Sequence, residues 1–332
     1  MKILWIGCLL IAPLSILAGD APKWLDNLKL SGDFRTRVEI TDYDARKDRQ
    51  RYRIRLRLNA SWQLNENWLV GTRVVTGNPD DQRTIHQTLD NGFKEFEISL
   101  DRAYLQYKTQ GITARFGKFA HPFKALGIYN EILWDADVQP EGMALHYKGD
   151  YFYAATSYYI LDERANDTDI SMVTGQVGGQ SGGRFPAAWG IAYYGLDDLE
   201  GTLETEFTLI EAQASIGFQL GDAKGRVALQ YMTNTDAATD EDTGTVLGFE
   251  VKRKGFFTKT YLQYQRIEDE AVFDYLAGDD FTASSNFEGF VAGMIFPIWK
   301  TISLHTWALT ADPIVGDGSA DRRYRLDINA KF

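Results

Sequence analysis

Arg51-Tyr52-Arg53-Ile54-Arg55-Leu56-Arg57-Leu58-Asn59-Ala60-Ser61-Trp62-Gln63-Leu64 alternates without a fault. Tyr52, Ile54, Leu56, Leu58, Ala60, Trp62 and Leu64 fall in one phase; Arg51, Arg53, Arg55, Arg57, Asn59, Ser61 and Gln63 fall in the other. On an extended chain successive side chains point to opposite faces, so this segment as a strand is oily on one side and polar on the other. A helix would scatter the four arginines round its axis. The run is also long. Strands of soluble proteins average about 5–6 residues, whereas a tilted strand crossing a bilayer needs roughly 9–11. Facing lipid, an arginine near the midplane costs ~2–4 kcal/mol, and a dry protein core does not accept unpaired charges. The arginine face therefore requires water and the opposite face requires oil.

The same period recurs along the chain. Leu28, Leu30, Phe34, Val38 and Ile40 alternate with Lys29, Asp33, Arg35, Arg37 and Glu39; Tyr324, Leu326, Ile328, Ala330 and Phe332 alternate with Arg323, Arg325, Asp327, Asn329 and Lys331. Strands are readable at 28–40, 51–64, 68–76, 95–107, 112–119, 142–149, 151–161, 186–195, 203–220, 226–235, 244–253, 256–266, 287–296, 300–310 and 323–332. Short connections (Asn65 to Asn67, Lys108 to Gly111, Gly149-Asp150, Gly221 to Gly225, Lys254-Gly255) alternate with long polar ones at 41–50, 77–94, 120–141, 267–286 and 311–322. A closed bacterial barrel needs an even number of strands. Counting inward from both ends leaves one missing between 161 and 186, and Thr168 to Val177 supplies it, followed by a tight turn at Gly178 to Gly183. The expectation is an all-β, closed antiparallel transmembrane β-barrel of about 16 strands, with 14 or 18 as the alternatives, short periplasmic turns and long extracellular loops.

Closure would set the last strand beside the first. Arg35, Arg37, Arg51, Arg53, Arg55, Arg57, Arg73, Arg323 and Arg325 would then form a basic wall over four neighbouring strands. Pairing with Asp33, Glu39 and Asp327 could stiffen that wall; facing a wet lumen, it would polarise a pore and set ion selectivity. Loop 120–141 is rich in apolar residues for an exposed connection, with Phe123, Leu126, Ile128, Tyr129, Ile132, Leu133 and Trp134. Folding inside the barrel would explain them and would turn Asp135, Asp137 and Glu141 toward the arginines as an acidic constriction. Trp62, Trp68, Tyr107, Tyr147, Tyr151, Trp299 and Phe332 lie near the short turns, where an interfacial aromatic girdle belongs.

Three segments resemble the putative porins of Gram-negative bacteria: Asp101-Arg102-Ala103-Tyr104-Leu105-Gln106-Tyr107; Gly117-Lys118 with His121-Pro122-Phe123; and Leu133-Trp134-Asp135-Ala136-Asp137-Val138-Gln139-Pro140-Glu141-Gly142. His121 departs from that pattern, which has a short polar residue before the Pro-Phe pair. Terminal Phe332 looks like the assembly signal of outer-membrane barrels. The resemblance implies a passive diffusion channel in the bacterial outer membrane, with the lipid bilayer and small hydrophilic solutes as its partners and no catalytic residues. By analogy with porins of this size, a homotrimer and a monomer both remain open.

Composition agrees and excludes much else. Aromatic residues make up 13% of the 332, and net charge is −11, a poor match for nucleic acid. The only cysteine, Cys8, sits in an apolar run from Ile3 to Leu17 behind Lys2, so residues 1–18 read as a signal peptide and 19–332 as a single barrel domain. No disulfide, thiolate metal site or cysteine nucleophile is then available. Four scattered histidines have no metal spacing, no serine-histidine set assembles, and the acidic run Asp236 to Asp242 reads as a solvated loop. No cofactor, metal site or enzymatic activity is expected. An anion-preferring diffusion channel, a channel selective for an oxyanion of the phosphate type, and a closed structural or adhesive barrel are the functions left.

Overall fold

Hairpin by hairpin, each alternating segment pairs antiparallel with its sequence neighbours, and the last strand returns to the first. The computed structural model describes residues 23–332 except 130–131, 167, 198–206, 279, 317 and 319. The expected signal peptide at 1–18 lies outside the described residues. The strands are β1 (Leu28–Asp42), β2 (Arg49–Gln63), β3 (Trp68–Thr76), β4 (Gln87–Thr88), β5 (Ile98–Thr109), β6 (Ile112–Lys118), β7 (Glu141–Lys148), β8 (Phe152–Asp162) and β9 (Ile170–Gln180). They continue with β10 (Ala187–Asp197), β11 (Thr208–Leu220), β12 (Ala223–Asn234), β13 (Thr243–Lys252), β14 (Lys259–Ile267), β15 (Phe287–Pro297), β16 (Ile302–Pro313) and β17 (Asp321–Lys331). The wall is a closed antiparallel barrel of 16 strands; the two-residue β4 is an accessory piece that pairs with β2 at Arg53 and Ile54. Closure runs from Asp33 opposite Lys331 to Asp42 opposite Arg322.

The barrel is inside out relative to a soluble protein. Ile191, Leu229, Leu247, Leu262 and Phe290 stand on the outer face with about half their surface uncovered, while Gln176, Gln213, Gln263 and Gln265 are buried within. Apolar surface of that extent needs a hydrocarbon solvent. Trp62, Tyr147, Tyr151, Trp299 and Phe332 are exposed near the short-turn end of the wall.

The glycine-rich stretch after residue 177 corrects the expected turn. Gly178 and Gly179 are still inside β9, and the turn begins only after Gln180. Both glycines make room for neighbouring rings: a Cβ on Gly178 would meet the Tyr153 hydroxyl at 2.2 Å, and one on Gly179 would meet Trp189 Nε1 at 2.6 Å. A second correction concerns 267–286, expected as a polar extracellular loop. Ala271, Val272, Ala277 and Phe281 are buried there, packed with strand residues such as Val291 and Leu309 on the inner side of the wall, and Leu276 is buried in a second cluster with Phe119, Val138 and Tyr159.

Candidate functional site

Register builds the basic wall. Across β1 and β2, Arg35 stands opposite Arg55 and Arg37 opposite Arg53, with Asp33 opposite Arg57 and Glu39 opposite Arg51. Across β1 and β17, Arg37 faces Asp327 and Glu39 faces Arg325. Like charges directly opposed on a sheet repel, and the interleaved carboxylates offset that. Asp327 takes Arg37 through two hydrogen bonds of 2.8 and 2.9 Å. Asp33 takes Arg55 at 2.8 Å and Arg57 at 2.7 Å. Glu39 holds Arg51 and Arg325 and lies 4.0 Å from Arg53. Glu39 and Asp327 have no exposed side-chain surface, so guanidinium groups stand where water would otherwise solvate them.

The sequence motifs of the porin resemblance resolve into geometry. A register shift in β5 beside Arg73 and Val74 leaves Asp101 between the residues opposite them. In a regular strand Asp101 and Arg102 would face opposite ways; at this bulge both serve the lumen side. Asp101 binds Arg73 through both carboxylate oxygens, and Arg102 donates to Gln139 Oε1 at 2.8 Å. Gly117 and Gly142 pair across β6 and β7 at the root of the following loop, with φ of +113° and +148°. A Cβ at Gly142 would strike the Tyr158 carbonyl at 2.1 Å. Only glycine fits both the space and the conformation there.

From that root, residues 119–129 and 132–140 run along the inner wall. Three lumen-facing glutamines receive them as a neighbouring strand would. Gln176 and Gln213 accept the N–H groups of Lys124 and Leu126 at 2.8 and 2.6 Å, and both donate to the Lys124 carbonyl. Gln263 accepts from Tyr129 N–H at 2.9 Å and donates back to its carbonyl at 3.1 Å. Arg226 donates to the carbonyls of Leu126 and Gly127. His121 stacks on Trp134 with ring centroids 4.1 Å apart, and its Nδ1 meets the Tyr159 hydroxyl at 2.8 Å. Burial pushes His121 down to about 3, so the ring is neutral and acts as a packing aromatic.

The segment's tip is a tight turn: Asp135 Oδ1 accepts from Asp137 N–H at 2.7 Å, and Gln139 donates to the Ala136 carbonyl at 2.9 Å. Segment 268–286 locks it, since Asp135 N–H donates to the Leu276 carbonyl at 2.8 Å. Its Asp280 also binds Arg325 and accepts from the Tyr129 hydroxyl. Between tip and wall lies a cavity of about 550 Å³. Arg35, Arg37, Arg51, Arg53, Arg55, Arg57, Arg323 and Arg325 line one side, while Asp135 and Asp137 line it from the loop. The charge of Asp137 acts on Arg55 across this space.

Two expected members stand elsewhere. Arg73 is buried against Asp101 and does not line the cavity. Glu141 shares the outward phase of β7 with Met143 and Leu145 and pairs with Lys118 at 2.9 Å. It is not part of the acidic tip, because the chain has already re-entered the wall when it reaches Glu141. Sequence reasoning missed Asp280, Arg102, the glutamine row, and Arg83 and His86 from the 77–97 segment. Arg83 reaches across to the Asp274 carbonyl at 2.9 Å and Ser284 Oγ at 3.1 Å. The one available signal was lumen-phase glutamine, which the alternation marks as polar without saying what it binds.

An exterior of this kind is at home only in lipid, and a charged, roomy interior behind it serves passage; the molecule is a porin-type channel of the bacterial outer membrane. A family model described as "Putative porin" matches residues 39–222, and the chain belongs to that family. Among solved structures it is similar to OprB of Pseudomonas putida, at 12% identity and a TM-score of 0.67 over 93% of this chain and 96% of that one. OmpF of Salmonella typhi, in complex with daunomycin, matches at 10% identity and 0.61 over 92% and 97%. OmpT, an outer membrane protein of Vibrio cholerae in a trimer form, matches at 11% and 0.57 over 92% and 100%. At these identities the likeness is one of fold. The comparison with curated proteins found no match.

Proposed function

We propose that this porin, with residues 1–18 as its export leader, passes small hydrophilic solutes by passive diffusion and prefers anions. The constriction in this reading is the gap between the arginine wall and the Asp135–Asp137 tip. The observation that carries it is the charge lining the cavity: nine arginines against six aspartates. A low-dielectric wall with an excess of one sign raises the local concentration of the opposite ion. The acids opposite keep the field directed across the path and temper the preference.

The experiment is the reversal potential of the purified full chain in a planar bilayer under a potassium chloride gradient. Wild type is expected to favour chloride. Arg55→Gln with Arg57→Gln is expected to move the reversal potential toward cation preference. Unchanged selectivity in the double variant contradicts the assignment of the wall. Conductance steps arriving in threes mark a trimeric assembly, and single steps a monomer.

A further inference from the structure

Three nitrogen atoms on the basic side of the cavity are shielded from solvent and have no hydrogen-bond partner among the described residues: Arg53 Nε, Arg55 Nε and His86 Nε2. Their side chains belong to residues only 7%, 6% and 8% exposed, and all three residues line the cavity. A buried donor left without an acceptor carries its desolvation cost with nothing in return, so three in one place ask for an acceptor.

The local packing explains why the wall's own carboxylates do not supply one. Glu39 is engaged by Arg51 and Arg325 and stays 4.0 Å from Arg53 Nη1. Arg53 turns Nη2 to Thr84 Oγ1 at 2.8 Å and to the His86 carbonyl at 3.5 Å, which ties the 77–97 segment over the wall. Asp33 takes Arg55 through Nη2 and leaves its Nε unused. Arg37 and Arg35 stand directly opposite, adding charge to the same patch. Burial first, then the charges of Arg37, Arg53, Arg35 and Arg55, hold His86 well below the ordinary histidine value. Its ring is neutral at pH 7 and offers one N–H through the appropriate tautomer.

We propose that Arg53, Arg55 and His86 form a built binding site for a small oxyanion with several acceptor oxygens, of the phosphate or sulfate kind, within the conduction path. The inference rests on reading the cavity as that path and adds the solute class. Residues two apart on a strand are roughly 6.6 Å apart. With rotation of these side chains toward the cavity, one multi-oxygen anion presents enough acceptors for both guanidinium groups and the imidazole, whereas chloride offers a single centre. Charge-assisted N–H···O⁻ bonds of this kind are about twice as strong as neutral ones.

The test uses the purified full chain in a planar bilayer carrying chloride current, with inorganic phosphate added, and sulfate in a parallel arm. The expected result is a saturable block at millimolar phosphate that Arg53→Gln weakens by about tenfold or more, as loss of a charge-assisted bond implies. Arg57→Gln removes the same charge from the same strand face but no unpartnered donor, and should weaken the block far less. Equal weakening by both variants means a diffuse field and overturns the site. Absence of block in wild type overturns it too, while leaving an anion-preferring pore intact if chloride is still favoured in the gradient measurement. If Arg53→Gln does not insert, His86→Phe on the 77–97 segment answers the same question; an undiminished block there is again contrary. A block by sulfate alone assigns the site to sulfate, and a block by phosphate alone to phosphate.

Discussion

On β17, β1 and β2 the inward phase is arginine interleaved with aspartate and glutamate, and it borders open space. On β9, β11 and β14 the inward phase carries glutamine, and a loop lies flat upon it. Both walls follow the same two-residue period, and both are sealed from lipid by an apolar outer phase. They differ in what the polar groups meet. Guanidinium groups are held by fixed carboxylates and keep surplus charge facing water. Neutral amides, each with a donating NH2 and an accepting carbonyl oxygen, match a peptide backbone and take up a segment of chain. In the function proposed above, lumen residues of the first type make the conducting surface; those of the second type make a bracket.

Removing a carboxylate from the charged wall is the stronger way to strain this contrast. Asp327→Asn deprives the buried Arg37 of its charged, two-acceptor partner and takes a contact from the partly exposed Arg35. Breaking such a pair costs about 3–5 kcal/mol. Urea unfolding from lipid vesicles should show the loss, and a change below about 1 kcal/mol would mean the lattice is not a structural necessity. Removing an amide from the bracket should cost less. Gln213→Ala strips the acceptor from Leu126 N–H and a donor from the Lys124 carbonyl, worth about 1–3 kcal/mol. Its particular mark should be faster hydrogen exchange at Leu126, with exchange in β1 and β2 unaltered. Protection at Leu126 that survives the substitution would show that the apolar contacts of the loop hold it alone.

The wall was legible from side-chain period because every strand faces two solvents of opposite kind, and a strand such as β2 records both in its letters. Strand parity even located β9, where glycines under Tyr153 and Trp189 obscure the pattern. The basic wall was legible for the same reason, since closure makes neighbours of β1 and β17. The remainder of the site depends on contacts without a period. Asp280 reaches Arg325 from a segment whose burial is set by packing against Val291 and Leu309. Glu141 reads as part of an acidic loop, but the chain pairs with Lys118 and points outward one residue after the loop closes at Pro140. The β5 bulge at Asp101, which turns two adjacent residues inward, cannot be seen in an alternation that it interrupts.

Arg57 and Leu58 are adjacent in β2 and face opposite solvents, water on one side of the wall and lipid on the other. The most direct measurement replaces each with cysteine in a chain where Cys8 is already serine, reconstitutes the barrel in a bilayer, and applies a charged, water-soluble thiol reagent. The thiol of Arg57→Cys should react and reduce single-channel conductance, and that of Leu58→Cys should stay unmodified within lipid. Reaction at position 58 with protection at 57 would contradict the account.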